Sequence, residues 1–352
     1  MGLLRFLLAS SVVSFHIGPI SSFLLFNQIA AVVSFFIISG FYMALILDKK
    51  YTGKNNSYRL FITNRLLRIY PIYLIVLGVT LIFILFKYFL HLGSPDNAIT
   101  HYFFYATQEH VSLWDEINFI LRNLTLIVTS DYFNVSSKTG GFLLVQQAWT
   151  LQIELLFYLI VPFLLRIKRT LLTILTVLYI VIFFGFVFNQ QFLGSNTLIY
   201  TFLSYLIFFL LGIGSYIIFK QLEKQQFSKK IGFYILGLLS LFIIFYQYLP
   251  FHLAANPLTL TNFIYYVIFS LSLPFVFLVS ASNPLDRLLG QLSYPIYIVH
   301  FFFVKLFTNF KITNSFFLAV TVIISTLIAS FLLVKFVDSP LDHLRQGRLK
   351  KQ

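Results

Sequence analysis

Long apolar runs follow one another along nearly the whole chain, parted by short polar segments. They lie at Leu3–His16, Phe23–Leu47, Ile69–Leu90, Ala148–Leu165, Leu171–Phe188, Leu198–Phe219, Ile231–Leu249, Asn262–Ser280, Leu288–Phe307 and Phe316–Val337. Segments of this length and apolarity predict about ten membrane-spanning helices. The first run is short and is read as reaching about Ile20. The predicted class is all-α: one polytopic integral membrane domain over residues 1–337, then a short basic tail over 338–352. No repeat period is visible, and no Pro- or Gly-rich linker leads to a second domain.

Charge orients these spans. With the N-terminus in the cytoplasm, the inner side receives Arg5, the stretch from Lys49 to Arg68, the cluster Arg166, Lys168 and Arg169, and the cluster Lys220, Lys224, Lys229 and Lys230, together with Arg287 and the tail. The outer side receives only Lys87, Arg122, Lys138, Lys305 and Lys311. The reverse orientation violates the positive-inside bias, so both termini are expected to be cytoplasmic. One n-region charge, no small-x-small cleavage site and a second apolar run argue against a cleaved signal peptide.

Composition agrees. Of 352 residues, 59% are hydrophobic and only 10% charged, and the mean hydropathy is +0.88. The formal charge of +14 is explained by topology rather than by a nucleic-acid partner, because the cations fall between apolar runs. There is no cysteine, hence no thiolate nucleophile and no cysteine-ligated metal.

A few ionisable groups lie inside the apolar runs, where an uncompensated charge costs several kcal/mol unless it has a partner or a cavity. Glu154 is followed by ten apolar or aromatic residues. His16 and His300 lie about 12 to 13 residues above the inner ends of their spans, or roughly 20 Å at helical rise. Glu154, a few residues below the outer start of its span, is expected at the same level. Three such groups in one layer imply a shared cavity. Near the inner face, Arg65 and Arg68 are spaced i, i+3, so their guanidiniums share one helix face and form a forked donor set for phosphate. Placed at the opening of span three, they are also expected to profit from the helix N-terminus. A phosphate-bearing donor docked there needs a long thin arm to reach His16. Acyl-CoA has one, and His16 would then act as general base on an acceptor hydroxyl.

At these residues the chain resembles the family 3 membrane acyltransferases, which include bacterial O-acetyltransferases of lipopolysaccharide and peptidoglycan. Arg5-Phe-Leu-Leu-Ala-Ser-Ser-Val-Val-Ser-Phe-His16 is similar to the family's first helix. Phe35-Phe-Ile-Ile-Ser-Gly-Phe41 and Arg65-x-x-Arg68-Ile-Tyr-Pro71 are similar to its next two motifs. Trp149-Thr-Leu-Gln-Ile-Glu154, with Thr150 where the family has serine, and Gly290-x-x-Ser-Tyr-x-x-Tyr-x-x-His300 complete the order. The resemblance implies transfer from acyl-CoA, acetyl-CoA by default, to a carbohydrate hydroxyl at a bacterial inner membrane. It implies His16 as the catalytic histidine and Arg65 and Arg68 as essential. The chain stops soon after its last span and so resembles the stand-alone members, without a soluble hydrolase-like domain.

Several roles stay open. Glu154 orients His16, holds the acceptor or fixes helices. His300 takes part in the site or only satisfies a neighbouring helix, and Arg5 is divided between topology and the donor. Trp149 and Ser39 are further candidates, Ser39 also as a covalent acyl carrier beside His16. Ser39-Gly40 and Gly212-x-Gly214 suit close helix packing, Pro71 and Pro162 mark kinks or helix ends, and Lys49, Lys50 and Lys229 are read as topology determinants. The outer segment from His91 to Gln147 offers Tyr102, Phe103, Phe104, Tyr105 and Trp114 as an acceptor-sugar surface, and its 117–128 stretch as a helix on or in the membrane. Its His91, His101, Glu109, His110, Asp115 and Glu116 lack metal-ligand spacing, so no metal is expected. The expected partners are thus acyl-CoA, a carbohydrate acceptor and membrane lipids. The rival class is a transporter of lipid-linked sugars or a proton-coupled solute, using the same buried groups as a relay.

Overall fold

The computed structural model describes residues 1–17, 28–52, 57–90, 113–126, 143–167, 198–225, 228–246, 260–309 and 315–350, with a few positions between 173 and 181. Every regular element among the described residues is helical. This is the form that lets a backbone satisfy its own polar groups in lipid. The helices are α1 (Gly2–Ile17), α2 (Gln28–Ile46), α3 (Ser57–Phe89), α4 (Leu113–Thr125), α5 (Trp149–Leu164), α6 (Leu198–Lys224), α7 (Lys229–Tyr246), α8 (Leu260–Ser280), α9 (Pro284–Asn309), α10 (Ser315–Leu333) and α11 (Ser339–Lys350). Six helical stretches are long and apolar enough to cross a membrane: Gln28–Tyr51, Ser57–Lys87, Gln146–Leu164, Tyr205–Lys224, Asn262–Ser280 and Phe316–Lys350. Gly2–Ile17 and Lys230–Phe242 are shorter apolar helices. α9 is longer, but its first turns carry Asp286 and Arg287. The protein is therefore an integral membrane protein. The expected span Leu171–Phe188 lies largely outside the described residues, as do His91, His101, Glu109, His110 and the loop aromatics Tyr102, Phe103, Phe104 and Tyr105.

Two helix pairs carry the architecture, and both depend on glycine. α2 and α6 cross so closely that a Cβ on Gly40 would lie 2.1 Å from the Phe209 carbonyl oxygen, and one on Gly212 2.0 Å from that of Ile37. Without side chains at the crossing the backbones touch, which is how helices associate in lipid. The expectation for Ser39-Gly40 and for Gly212 holds, whereas Gly214 meets nothing within 4 Å. Beyond the crossing, Asp48 pairs with Lys220 at 2.6 Å and Lys49 with Glu223 at 2.7 Å, clamping the polar end of α2 to that of α6.

The second pair is α1 with α9. Gly2 packs directly on α9, where a Cβ would meet the Asp286 carbonyl oxygen at 1.5 Å. The Asp286 carboxylate accepts from the N–H groups of Gly2 (2.7 Å) and Leu3 (2.8 Å) and from the Met1 amino group (2.9 Å). First-turn N–H groups have no partner inside their own helix, so α9 caps α1. Burial raises the Asp286 pKa, but these donors outweigh it and hold the carboxyl below its ordinary value.

Two placements differ from expectation. α3 starts at Ser57 rather than near Ile69, so Arg65 and Arg68 lie two to three turns inside a 33-residue helix. The N-terminal dipole fades within the first turn and contributes nothing at these arginines. Pro71 lies inside α3 and Pro162 inside α5. The tail, for its part, is helical: α10 passes through a π-helical turn, Val334–Asp338, into α11, which packs against α3. α4 confirms a helix over most of the expected 117–128 stretch, and the hydroxyls of Tyr70 and Tyr73 in α3 donate to its last carbonyls.

Candidate active site

α1, α2, α3, α5, α8 and α9 line a cavity of about 400 Å³. Its walls are mostly apolar, supplied by residues such as Val32, Phe35, Ile38 and Ile69, and its polar groups are few and convergent. α1 contributes Arg5, whose guanidinium carbon lies 5.9 Å from the ring centre of Tyr42. α3 contributes Arg68, and α5 contributes Glu154. Ser39 donates to Glu154 Oε1 at 2.8 Å, and the hydroxyl of Tyr158, one turn on from Glu154, donates to the same oxygen. Glu154 attracts both Arg5 and Arg68 electrostatically. This half-buried charge thus has two kinds of compensation, direct hydrogen bonds and longer-range opposite charge. Tyr294 and Tyr297, on one face of α9, finish the lining; Tyr294 donates to the Ile69 carbonyl at 2.8 Å.

At the Thr150 and Tyr297 end of the lining, α5 and the turn before it are hydrogen-bonded to α9. Thr150 donates to the Tyr297 hydroxyl at 3.1 Å, and Gln147 Nε2 donates to the Ile298 carbonyl at 2.6 Å. Beyond Tyr297 lie the two histidines, with ring centres 5.4 Å apart. His300 is completely buried. Its Nδ1 lies 2.8 Å from the Tyr297 carbonyl; a carbonyl only accepts, so this nitrogen carries the proton, and Nε2, which has no partner among the described residues, holds the lone pair. His16 packs edge-on against Phe15 and Phe301. From Arg5 to His16 is 11 residues of α1, or about 16 Å.

Arg68 faces a second space as well. A smaller one of about 110 Å³, lined by Arg65, Arg68 and Arg345 among others, lies against α11. Arg65 is 8% exposed and rests on the Phe61 ring.

This disposition of buried arginines, carboxylate and paired imidazoles sits within a stretch, residues 1–335, that matches the model of an acyltransferase domain. The chain belongs to the family 3 acyltransferases. No curated protein matches it, and no solved structure does.

In this family 3 acyltransferase the expected site residues divide into two groups. Arg5, Arg68, Ser39 and Glu154 meet in the cavity, while His16 and His300 meet each other outside its lining. The expected single layer of His16, His300 and Glu154 is therefore corrected. The reason is where α5 begins: the one-turn helix before it is pinned at the depth of Ile298, not at the outer end of α9, so Glu154 lies well below the imidazoles and joins the arginines. Arg65 belongs to the smaller space rather than the main cavity. Trp149 lies between Phe36 and Tyr205 and packs α5 on α2 and α6. Among the described residues no three metal-ligating side chains cluster.

Sequence reading passed over the tyrosines. Their signal was spacing: Tyr42 is i+3 from Ser39, Tyr158 is i+4 from Glu154, and Tyr294 and Tyr297 are i, i+3, all on shared helix faces. Asp286 carried no such signal, because its partners are backbone groups of another helix.

Proposed function

We propose that this membrane acyltransferase moves an acyl group, acetyl by default, from cytoplasmic acyl-CoA to a hydroxyl of a cell-surface or lipid-linked carbohydrate. The proposed membrane is a bacterial inner membrane crossed about ten times, with both termini on the cytoplasmic side. The donor's phosphates bind at Arg68 and Arg65, with Arg5 alongside, and its arm lies in the apolar cavity. Tyr297 then has to give way for the thioester to reach His16. His16 takes the proton of the acceptor hydroxyl as that oxygen attacks the thioester carbonyl. The carbon–sulfur bond breaks, the proton passes to the leaving sulfur, and ester and free CoA thiol result. His300, whose Nδ1 is tied to the Tyr297 carbonyl, packs against His16 and positions it. Glu154 holds Arg5 and Arg68 in place. The observation that carries this reading is the α1–α9 pair, which bears an arginine in the cavity at one end and both imidazoles at the other.

The test is purified protein incubated with labelled acetyl-CoA and an acceptor glycan. Transfer in detergent is expected, and His16→Ala should abolish ester formation without lowering the unfolding temperature. Normal turnover by His16→Ala removes the mechanism; movement of glycan with no ester formed favours the transporter instead.

A second reading is favoured by the Ser39–Glu154 hydrogen bond at 2.8 Å, since a hydroxyl against a carboxylate is the geometry of an activated nucleophile. Ser39 would then carry the acyl group covalently.

A further inference from the structure

We propose that Lys50, Arg65 and Arg345 form a separate subsite for a phosphate monoester, and that α11 is one wall of it. This deepens the reading of acyl-CoA as donor and rests on it. The space holds about 110 Å³, room for a phosphate-sized group and not for a nucleotide, and four cations (Lys50, Arg65, Arg68 and Arg345) but only one carboxylate (Asp342) line it.

The donors there are unspent. Arg65 and Arg345 are 8% and 7% exposed, and Nε and Nη1 of Arg65 and Nη1 of Arg345 are buried without a hydrogen-bond partner among the described residues. Asp342 and Asp338 both pair with Nη2 of Arg345, at 3.0 and 3.1 Å; they offset its charge and fix the guanidinium in place, and they leave its Nη1 open. α11 is itself held on α3, where Arg348 lies 3.5 Å from Thr63 Oγ1 and Asn64 Oδ1. Buried charged donors left unpaired are costly. An anion with several acceptor oxygens relieves all of them at once, and guanidinium forks suit phosphate best.

Arg68 and Lys50 line both spaces, so a ligand with two separated phosphate groups can occupy both. Acyl-CoA carries a diphosphate on its arm and a lone 3′-phosphate on its ribose. The diphosphate goes to Arg68 at the cavity and the 3′-phosphate to the smaller site. An anionic lipid headgroup with a terminal phosphate offers the same chemistry from another source.

The experiment compares acetyl-CoA with 3′-dephospho-acetyl-CoA as donors for wild type, Arg345→Gln and Lys50→Gln. Wild type should show a KM about tenfold or more lower for the phosphorylated donor. In Arg345→Gln that preference should vanish: the KM for acetyl-CoA rises to the wild-type value for the dephospho donor, and the KM for the dephospho donor stays put. Lys50→Gln, at a residue that borders both spaces, should weaken the same preference. A variant that merely folds poorly loses turnover with both donors, and Lys50→Gln, an exposed change, guards against that result. Unchanged preference in the variants overturns the proposal. If neither donor is used, the donor reading fails by itself, and binding decides the subsite. Adenosine 3′,5′-bisphosphate and phosphatidic acid in nanodiscs are then titrated against wild type and Arg345→Gln. Binding of phosphatidic acid alone, lost in Arg345→Gln, keeps the phosphate subsite and assigns it to lipid. Binding of neither, or binding indifferent to Arg345→Gln, overturns it.

Discussion

Glu154 and Ser39 separate the two chemical readings. Two hydrogen bonds fall on Glu154 Oε1. Gln keeps an acceptor oxygen there and loses the charge, whereas Ala loses both. Removing hydrogen bonds to a charged group costs about 1.5–3 kcal/mol, so Glu154→Ala should lower kcat/KM for acetyl-CoA roughly 10- to 100-fold, with Glu154→Gln in between. Wild-type kinetics in Glu154→Ala would deny it any part in holding the arginines. Under direct transfer Ser39→Ala keeps most turnover; loss of transfer in Ser39→Ala, with acyl label trapped on the wild-type protein, would favour the covalent route. At this scale much was legible. A charge in an apolar run demands compensation, and the i, i+3 and i, i+4 faces name the neighbours. What spacing along one helix does not give is depth relative to another. Glu154 was expected beside His16 because α5 was taken to begin at the membrane surface, and only the Gln147–Ile298 bond reveals otherwise.

At the scale of elements, the glycine crossing and the α1 cap should behave differently when perturbed. Gly212→Ala places a methyl group against backbone of α2, which cannot yield as a flexible side chain can. It should destabilise the protein by about 1–3 kcal/mol, read as a lower unfolding temperature in detergent, while Gly214→Ala, which has open space, should not. The Asp286 cap should be acid-sensitive. Its carboxyl is held below the ordinary range, so its contribution is complete above the unfolded value of about pH 4 and is lost as the pH falls through the lower folded value. Asp286→Asn should lower stability near neutral pH and flatten this acid limb in thermal unfolding measured from pH 6 to pH 3; an acid limb identical to wild type would assign the cap no role. The glycine pair was readable as small residues on two runs, though which runs cross was not. Nor was the start of α3, because the polar segment before Ile69 (Ser57, Arg59, Asn64, Arg65) reads as a loop until α11 is seen packed against it.

For the molecule as a whole, apolar runs gave the helical class directly, and basic residues gave an orientation that is open to test. The chain has no cysteine, so single introduced thiols report without background. A membrane-impermeant maleimide added to intact cells stripped of their outer layer should label Thr308→Cys and spare Lys224→Cys, with both labelled after permeabilisation. The opposite pattern would turn the donor and acceptor sides around. The recessed start of α5 matters most here. From the depth of Ile298, where its leading turn is tied, α9 climbs 11 further residues, about 16 Å. Among the described residues the start of α5 is thus sunk well beneath the tip of α9. Under the proposed orientation the reacting acyl group then crosses only part of the bilayer's thickness.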